Sequence, residues 1–217
     1  MPQSTPPLPS SPVRRALSRV AGAALGVWVL ISAPVHAQPA MNPSANTPPG
    51  QPGQAVAASE QAAAWSIVND GVMGGVSDGR FRITAEKSLE FFGTLSLENN
   101  GGFASVRTKP TDLDVKAGDS LVVRVKGDGR EYVVNIYTKS RRMAFSYRAP
   151  LPTTKDEWTE VRVPLGDFIP TAFGRRVQGM GSVEPGQING LGFMLADKQP
   201  GTFQMQVEWV KVERTEP

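Results

Sequence analysis

Ser120-Leu121-Val122-Val123-Arg124-Val125-Lys126, then Gly127-Asp128-Gly129-Arg130, then Glu131-Tyr132-Val133-Val134-Asn135-Ile136-Tyr137-Thr138: this stretch decides the fold. Both long runs are rich in Val, Ile, Leu and Tyr. Asp-Gly favours a two-residue type I′ turn, in which both positions take φ > 0. With that pair at the tip, the expected register sets Lys126 against Glu131, Val125 against Tyr132, Val123 against Val134 and Leu121 against Ile136. Three apolar pairs then share one face, and a slip of one residue would turn one arm's apolar set outward. Arg124, Asn135 and Tyr137 fall together on the other face by parity. The expectation is a central antiparallel hairpin with one dry side.

Outward from that pair the texture stays β-like. Short runs rich in β-branched and aromatic residues alternate with Gly, Asn, Asp and Pro. Strands are predicted at Trp65–Val68, Arg80–Thr84, Ser88–Phe92, Thr94–Glu98 and Phe103–Thr108. Further strands are predicted at Ala144–Arg148, Thr159–Pro164, Leu191–Leu195 and Thr202–Val212. In the last, Phe203, Met205, Val207 and Trp209 alternate with polar residues, the period of a half-buried strand. No ten-residue stretch has convincing helical periodicity. The fold class is therefore all-β, an antiparallel β-sandwich of jelly-roll type. Pro164 to Ile188 reads as one long connection carrying Phe168, Phe173, Arg175 and Arg176, and connections of that length are usually functional.

The 217-residue chain has room for one good core. Its formal charge of +3 traces to Arg14, Arg15 and Arg19, without which 20 basic and 20 acidic residues balance. A neutral remainder lacks the basic excess that binding to phosphate backbones needs, so nucleic acid is not an expected partner. The three arginines precede an uncharged apolar run from Val20 to Ala33, and Val35-His36-Ala37 then offers a small-x-small cleavage site. Residues 1–37 are thus expected to be an export signal cut after Ala37, giving a periplasmic or secreted protein. The run is too short for a comfortable membrane span, so membrane contact is expected only through a partner or an uncleaved leader. Residues 38–62, rich in Pro, Ala and Gln, read as a flexible linker without secondary structure, and residues 63–214 as the folded domain.

Specific motifs add a family. Trp65-Ser66-Ile67-Val68-Asn69-Asp70-Gly71-Val72-Met73-Gly74-Gly75-Val76-Ser77 resembles the opening motif of the complex I intermediate-associated protein 30 family. The likeness continues through Phe92-Gly93-Thr94, Gly101-Gly102-Phe103, Gly127-Asp128-Gly129-Arg130, Leu191-Gly192-Phe193-Met194 and Gln199-Pro200-Gly201. It implies a galactose-binding-domain-like sandwich and a non-catalytic role in assembling the respiratory NADH:ubiquinone oxidoreductase. With an export signal in front, the expected partner becomes an envelope protein.

The chemical inventory narrows the function further. There is no cysteine, and the one histidine is His36. A Cys/His zinc site, a Ser-His-Asp triad and a Cys-His pair are all out of reach of residues 38–217. No metal site, no cofactor and no catalytic residue are expected, and the protein is expected not to be an enzyme. No spacing calls for a calcium ion. Asp70, Met73, Gly74 and Gly75 form a Gly-rich loop that either cradles an anion or simply turns the chain. Arg107, Arg124, Asn135, Tyr137 and Tyr147 (with Arg148 beside it) form a mixed polar and aromatic constellation. Phe173, Arg175 and Arg176 extend it on the long connection. Rings with Arg and Asn donors suit either a polypeptide or, as the alternative, a glycan bound in the manner of a carbohydrate-binding module.

Overall fold

In the computed structural model the described residues are 55–57, 64–139 and 144–214. The expected export signal and most of the expected linker lie outside them. Thirteen strands follow in chain order: β1 (Ala55–Ala57), β2 (Trp65–Asn69), β3 (Asp78–Ile83), β4 (Leu89–Leu95), β5 (Ala104–Thr108), β6 (Ser120–Lys126) and β7 (Glu131–Thr138). Then come β8 (Phe145–Pro152), β9 (Trp158–Pro164), β10 (Ile169–Ala172), β11 (Arg175–Arg176), β12 (Ile188–Leu195) and β13 (Gly201–Glu213). They build two antiparallel sheets. One runs β3-β4-β13-β6-β9, with β1 also on β13; the other runs β11-β10-β8-β7-β12-β5-β2. This is the all-β sandwich expected from the strand spacing.

The expected hairpin is not formed. β6 pairs with β13 and β9, whereas β7 pairs with β12 and β8, so the two runs belong to opposite sheets. Their apolar sets are nevertheless the ones expected to be dry. Leu121, Val123 and Val125 on one side, and Tyr132, Val134 and Ile136 on the other, are all fully buried. They meet across the core rather than side by side. Alternation says which face of a strand is apolar and is silent on whether the next strand sits beside it or over it.

The connection explains the difference. Asp128 does not take positive φ, which a type I′ turn would need, although Gly129 does (φ 89°). Its carboxylate instead accepts hydrogen bonds from the Tyr132 hydroxyl (3.1 Å) and from the N–H groups of Arg130 (3.1 Å) and Gln204 (3.0 Å). Arg130 forks onto Asp197 through Nε (2.9 Å) and Nη2 (2.7 Å) and also donates to the Thr202 carbonyl (3.1 Å). The motif is thus a strap over one end of the sandwich, tying the β6–β7 connection to the β12–β13 connection.

Four other expectations change. Ser88–Phe92 and Thr94–Glu98 are one continuous strand, β4, because both halves keep pairing with β3 and β13. The expected linker contributes β1, which pairs with β13 at Trp209–Lys211, beyond the point where β4 stops. The long connection 164–188 is largely structured: β10 extends the second sheet against β8 and β11 folds back on β10. Finally, a register shift between Val207 and Trp209 breaks the alternation of β13. Val210 and Val212 take the inward positions, and Trp209 turns out beneath the Lys211 ammonium, 3.8 Å from its ring centre.

Candidate functional site

The Gly-rich loop after β2 folds around its own carboxylate. Asp70 is fully buried and begins a short 3-10 turn over Asp70–Met73. Its side chain accepts from the Ser77 N–H (2.9 Å), the Ser77 hydroxyl (2.5 Å), and the N–H groups of Gly102 (2.7 Å) and Phe103 (3.3 Å). Burial pushes this carboxyl up, but the Ser77 hydroxyl and the three N–H groups outweigh it and hold it below the ordinary carboxylate range. A Cβ on Gly75 would lie 2.4 Å from the Asp70 carboxyl carbon, so only glycine lets the loop close this tightly. The anion in this cradle is Asp70 itself. What the loop offers outward is apolar: Val72 is 75% exposed, Met73 54% and Val76 52%.

A different arrangement occupies the outer face of the seven-stranded sheet. Register sets Arg148, Asn135, Gly192 and Arg107 side by side on β8, β7, β12 and β5. Each arginine is steadied by the serine two residues earlier on its own strand. Arg107 Nε donates to Ser105 Oγ (3.3 Å), and Arg148 Nε donates to Ser146 Oγ (3.1 Å). Those hydroxyls donate onward, Ser105 to the Val68 carbonyl (2.6 Å) and Ser146 to Asn135 Oδ1 (3.1 Å). The Arg107 guanidinium lies 4.9 Å from the Tyr137 ring centre, a cation–π contact. A Cβ on Gly192 would come within 3.1 Å of that ring, so the missing side chain is what lets Tyr137 lie across β12.

Two buried polar atoms on this face, Asn135 Nδ2 and the Tyr137 hydroxyl, have no hydrogen-bond partner among the described residues. Burial pushes the Tyr137 phenol up, and the nearby charges of Arg107 and Arg148 pull against that rise. Arg107 is close enough to act on the hydroxyl but is not placed for a hydrogen bond of good geometry. Burial pushes the Arg148 guanidinium down, and the like charge of Arg107 adds to that. Neither arginine has a carboxylate partner among the described residues.

The other expected site residues divide. Arg124 faces outward from the six-stranded sheet, paired with Glu160 (3.4 Å) and Glu208, with its guanidinium 5.7 Å from the Trp158 ring centre. It shared a face with Asn135 and Tyr137 only under the hairpin register. Tyr147 points into the core, 6% exposed and edge-on to Phe145 at 5.3 Å; Arg148, one residue on, takes the outer position. Phe173 is 62% exposed at the turn between β10 and β11. Arg176 opposes Thr171, which opposes Ser146, so it shares the outer face with Arg148, while Arg175 has the other parity. Residue-by-residue reading passed over Ser105, Ser146 and Gly192. The repeated Ser-x-Arg of Ser105-Val106-Arg107 and Ser146-Tyr147-Arg148 was the available signal. Among the described residues no group of three His, Cys, Asp or Glu side chains is placed to hold a metal ion.

Residues 55–207 match the family described as Complex I intermediate-associated protein 30. Among curated proteins the chain is similar to "Complex I intermediate-associated protein 30, mitochondrial" of Mus musculus, 26% identical over 169 residues, covering 68% of this chain and 51% of that protein. The protein of the same description from Drosophila melanogaster is 25% identical over 171 residues, covering 69% of this chain and 58% of its own length. The chain thus spans about half the length of the curated relatives it matches. Among solved structures it resembles the family 11 carbohydrate-binding module of a Clostridium thermocellum cellulosomal cellulase, with a TM-score of 0.60 and 16% identity over 76% of this chain and 96% of that one. A crystal structure of an agarase gives a TM-score of 0.52 at 10% identity over 76% of this chain and 25% of that one. At these identities the likeness is one of fold.

Proposed function

The chain belongs to the complex I intermediate-associated protein 30 family, and from that we propose that it is an exported, non-catalytic binding domain that holds a polypeptide partner during assembly of an envelope complex. The observation that carries this reading is the outer face of the seven-stranded sheet: basic, its Arg107 and Arg148 without a carboxylate partner among the described residues, and flanked at its two ends by exposed apolar side chains. Val72, Met73 and Val76 follow β2 at one end, and Phe173 lies at the other, between β10 and β11. Arginine and aromatic anchors beside apolar rims are the materials of a protein interface. The relatives' description as proteins associated with complex I intermediates supports an assembly role. The leader, if it acts as an export signal, moves the site of that role to the cell envelope. The absence of cysteine and the lone His36 support binding without catalysis.

The test uses the full chain in its own cells, with a photo-crosslinking amino acid placed at Val72, Phe173 or, on the opposite face, Arg162. Discrete envelope-protein adducts from the first two positions and none from the third are expected. Equal labelling from all three positions, or none from any, would overturn the proposal. A glycan ligand is the competing outcome: saturable binding on an array of envelope and wall polysaccharides without protein adducts would favour it.

A further inference from the structure

Arg107 and Arg148 share one face of the sheet without a counter-charge among the described residues. Their Cα atoms lie three strand spacings apart, about 14 Å, well within the combined reach of two arginine side chains. Both act on the Tyr137 hydroxyl between them, and each is fixed at Nε by its serine. With Nε anchored, the terminal nitrogens of the two forks remain for a ligand. Two like charges brought together on a drying surface oppose stability, and such arrangements are commonly kept where they recognise something. Donors dominate this face: two guanidiniums, the amide of Asn135 and the phenol of Tyr137. Such a set calls for acceptor-rich, negatively charged chemistry.

We propose that the Arg107–Arg148 pair is a receptor for carboxylates presented by an acidic segment of the polypeptide partner. This rests on the protein-binding reading above. A neutral sugar fits the site less well. The ring that would stack on it, Tyr137, already carries Arg107 over one face and lies close against Gly192. Of the residues in the seven strands of this sheet, Glu131 is the one acid, against Arg107, Arg148, Arg175 and Arg176. An acidic segment would supply the charge the sheet lacks.

The experiment titrates the full chain with hexaglutamate and, separately, with an oligogalacturonate of equal charge, following the arginine Nε–Hε signals by NMR. Saturable, salt-sensitive shifts of the Arg107 and Arg148 signals with hexaglutamate are expected. Arg107→Gln and Arg148→Gln should each weaken binding about tenfold or more. Arg107→Lys, which keeps the charge but loses the fork, should fall between, and Arg162→Gln should match the wild type. Unmoved signals, or wild-type affinity in both glutamine variants, would overturn the proposal. Tighter binding of oligogalacturonate would do so too, by assigning the pair to an acidic glycan. Adducts from Val72 and Phe173 that persist in the glutamine variants would remove the carboxylate receptor while sparing the protein-binding reading. Absence of adducts from the wild-type chain while hexaglutamate still binds it would do the reverse.

Discussion

The sandwich has two outer faces, and they handle charge in opposite ways. On the six-stranded sheet the arginines are largely neutralised in place: Arg80 with Asp78 (2.5 Å), Arg82 with Glu90, Arg124 with Glu160 and Glu208, and Arg162 with Glu213. Two open grooves lie there, of about 510 and 440 Å³, and both are lined by members of those pairs. On the seven-stranded sheet the arginines pair with serines and a ring, and no carboxylate answers them among the described residues. Both grooves therefore lie away from Arg107 and Arg148.

The harshest way to break this comparison is to loosen the frame that holds the faces back to back. Asp70 links the loops joining β2, β3 and β5, which belong to different sheets, and Asp70→Ala strands several buried donors. A loss of roughly 3 kcal/mol in urea unfolding is expected. Acid should reveal the same clasp. Its carboxyl lies below the ordinary value of 3.8, so its contribution is complete above that pH and disappears as pH falls through the lower, folded value. The stability gap between wild type and Asp70→Asn should therefore be widest near neutrality and should narrow below about pH 4. A gap that widens in acid would contradict the assignment.

Binding should separate the faces next. The double reversal Arg107→Glu with Arg148→Glu should abolish crosslinked adducts from Phe173, while Arg124→Glu leaves them. Smallest of all, stability should change with opposite signs. Arg162→Gln breaks an exposed ion pair and should cost about 0.5 kcal/mol or less. Arg148→Gln relieves repulsion and should leave stability unchanged or raise it by up to about 0.5 kcal/mol. A clear loss at Arg148 would mean its charge is already answered within the fold.

Much of this was legible in the chain, for definable reasons. The arms Ser120–Lys126 and Glu131–Thr138 stand as strands with the expected inward residues, because alternation is a local property. Their partners were not legible, since face-to-face and side-by-side placement bury the same side chains. Arg124 was assigned to the wrong face through that one error. Tyr147 went wrong by a single step of parity, which placed Arg148 outward instead. Asn135, Tyr137 and Arg107 do share a face, but their serine anchors emerge only once the strands are laid in order. Trp209 changed sides at a bulge, and an even period in the sequence carries no mark of an extra residue.

The position of β13 has a consequence for how the protein is made. β4 and β6 are joined only through it, so the pairs β3–β4 and β6–β9 remain separate until Gly201–Glu213 arrives. That strand is synthesised after every other described strand, and its ladders span more than a hundred residues to β4. Early in synthesis the nascent polypeptide would carry two half-built ribbons with unsatisfied edges, vulnerable to wrong pairing. Closure thus waits for β13, and a chain cut before Gly201 would leave β4 and β6 unjoined and the core open.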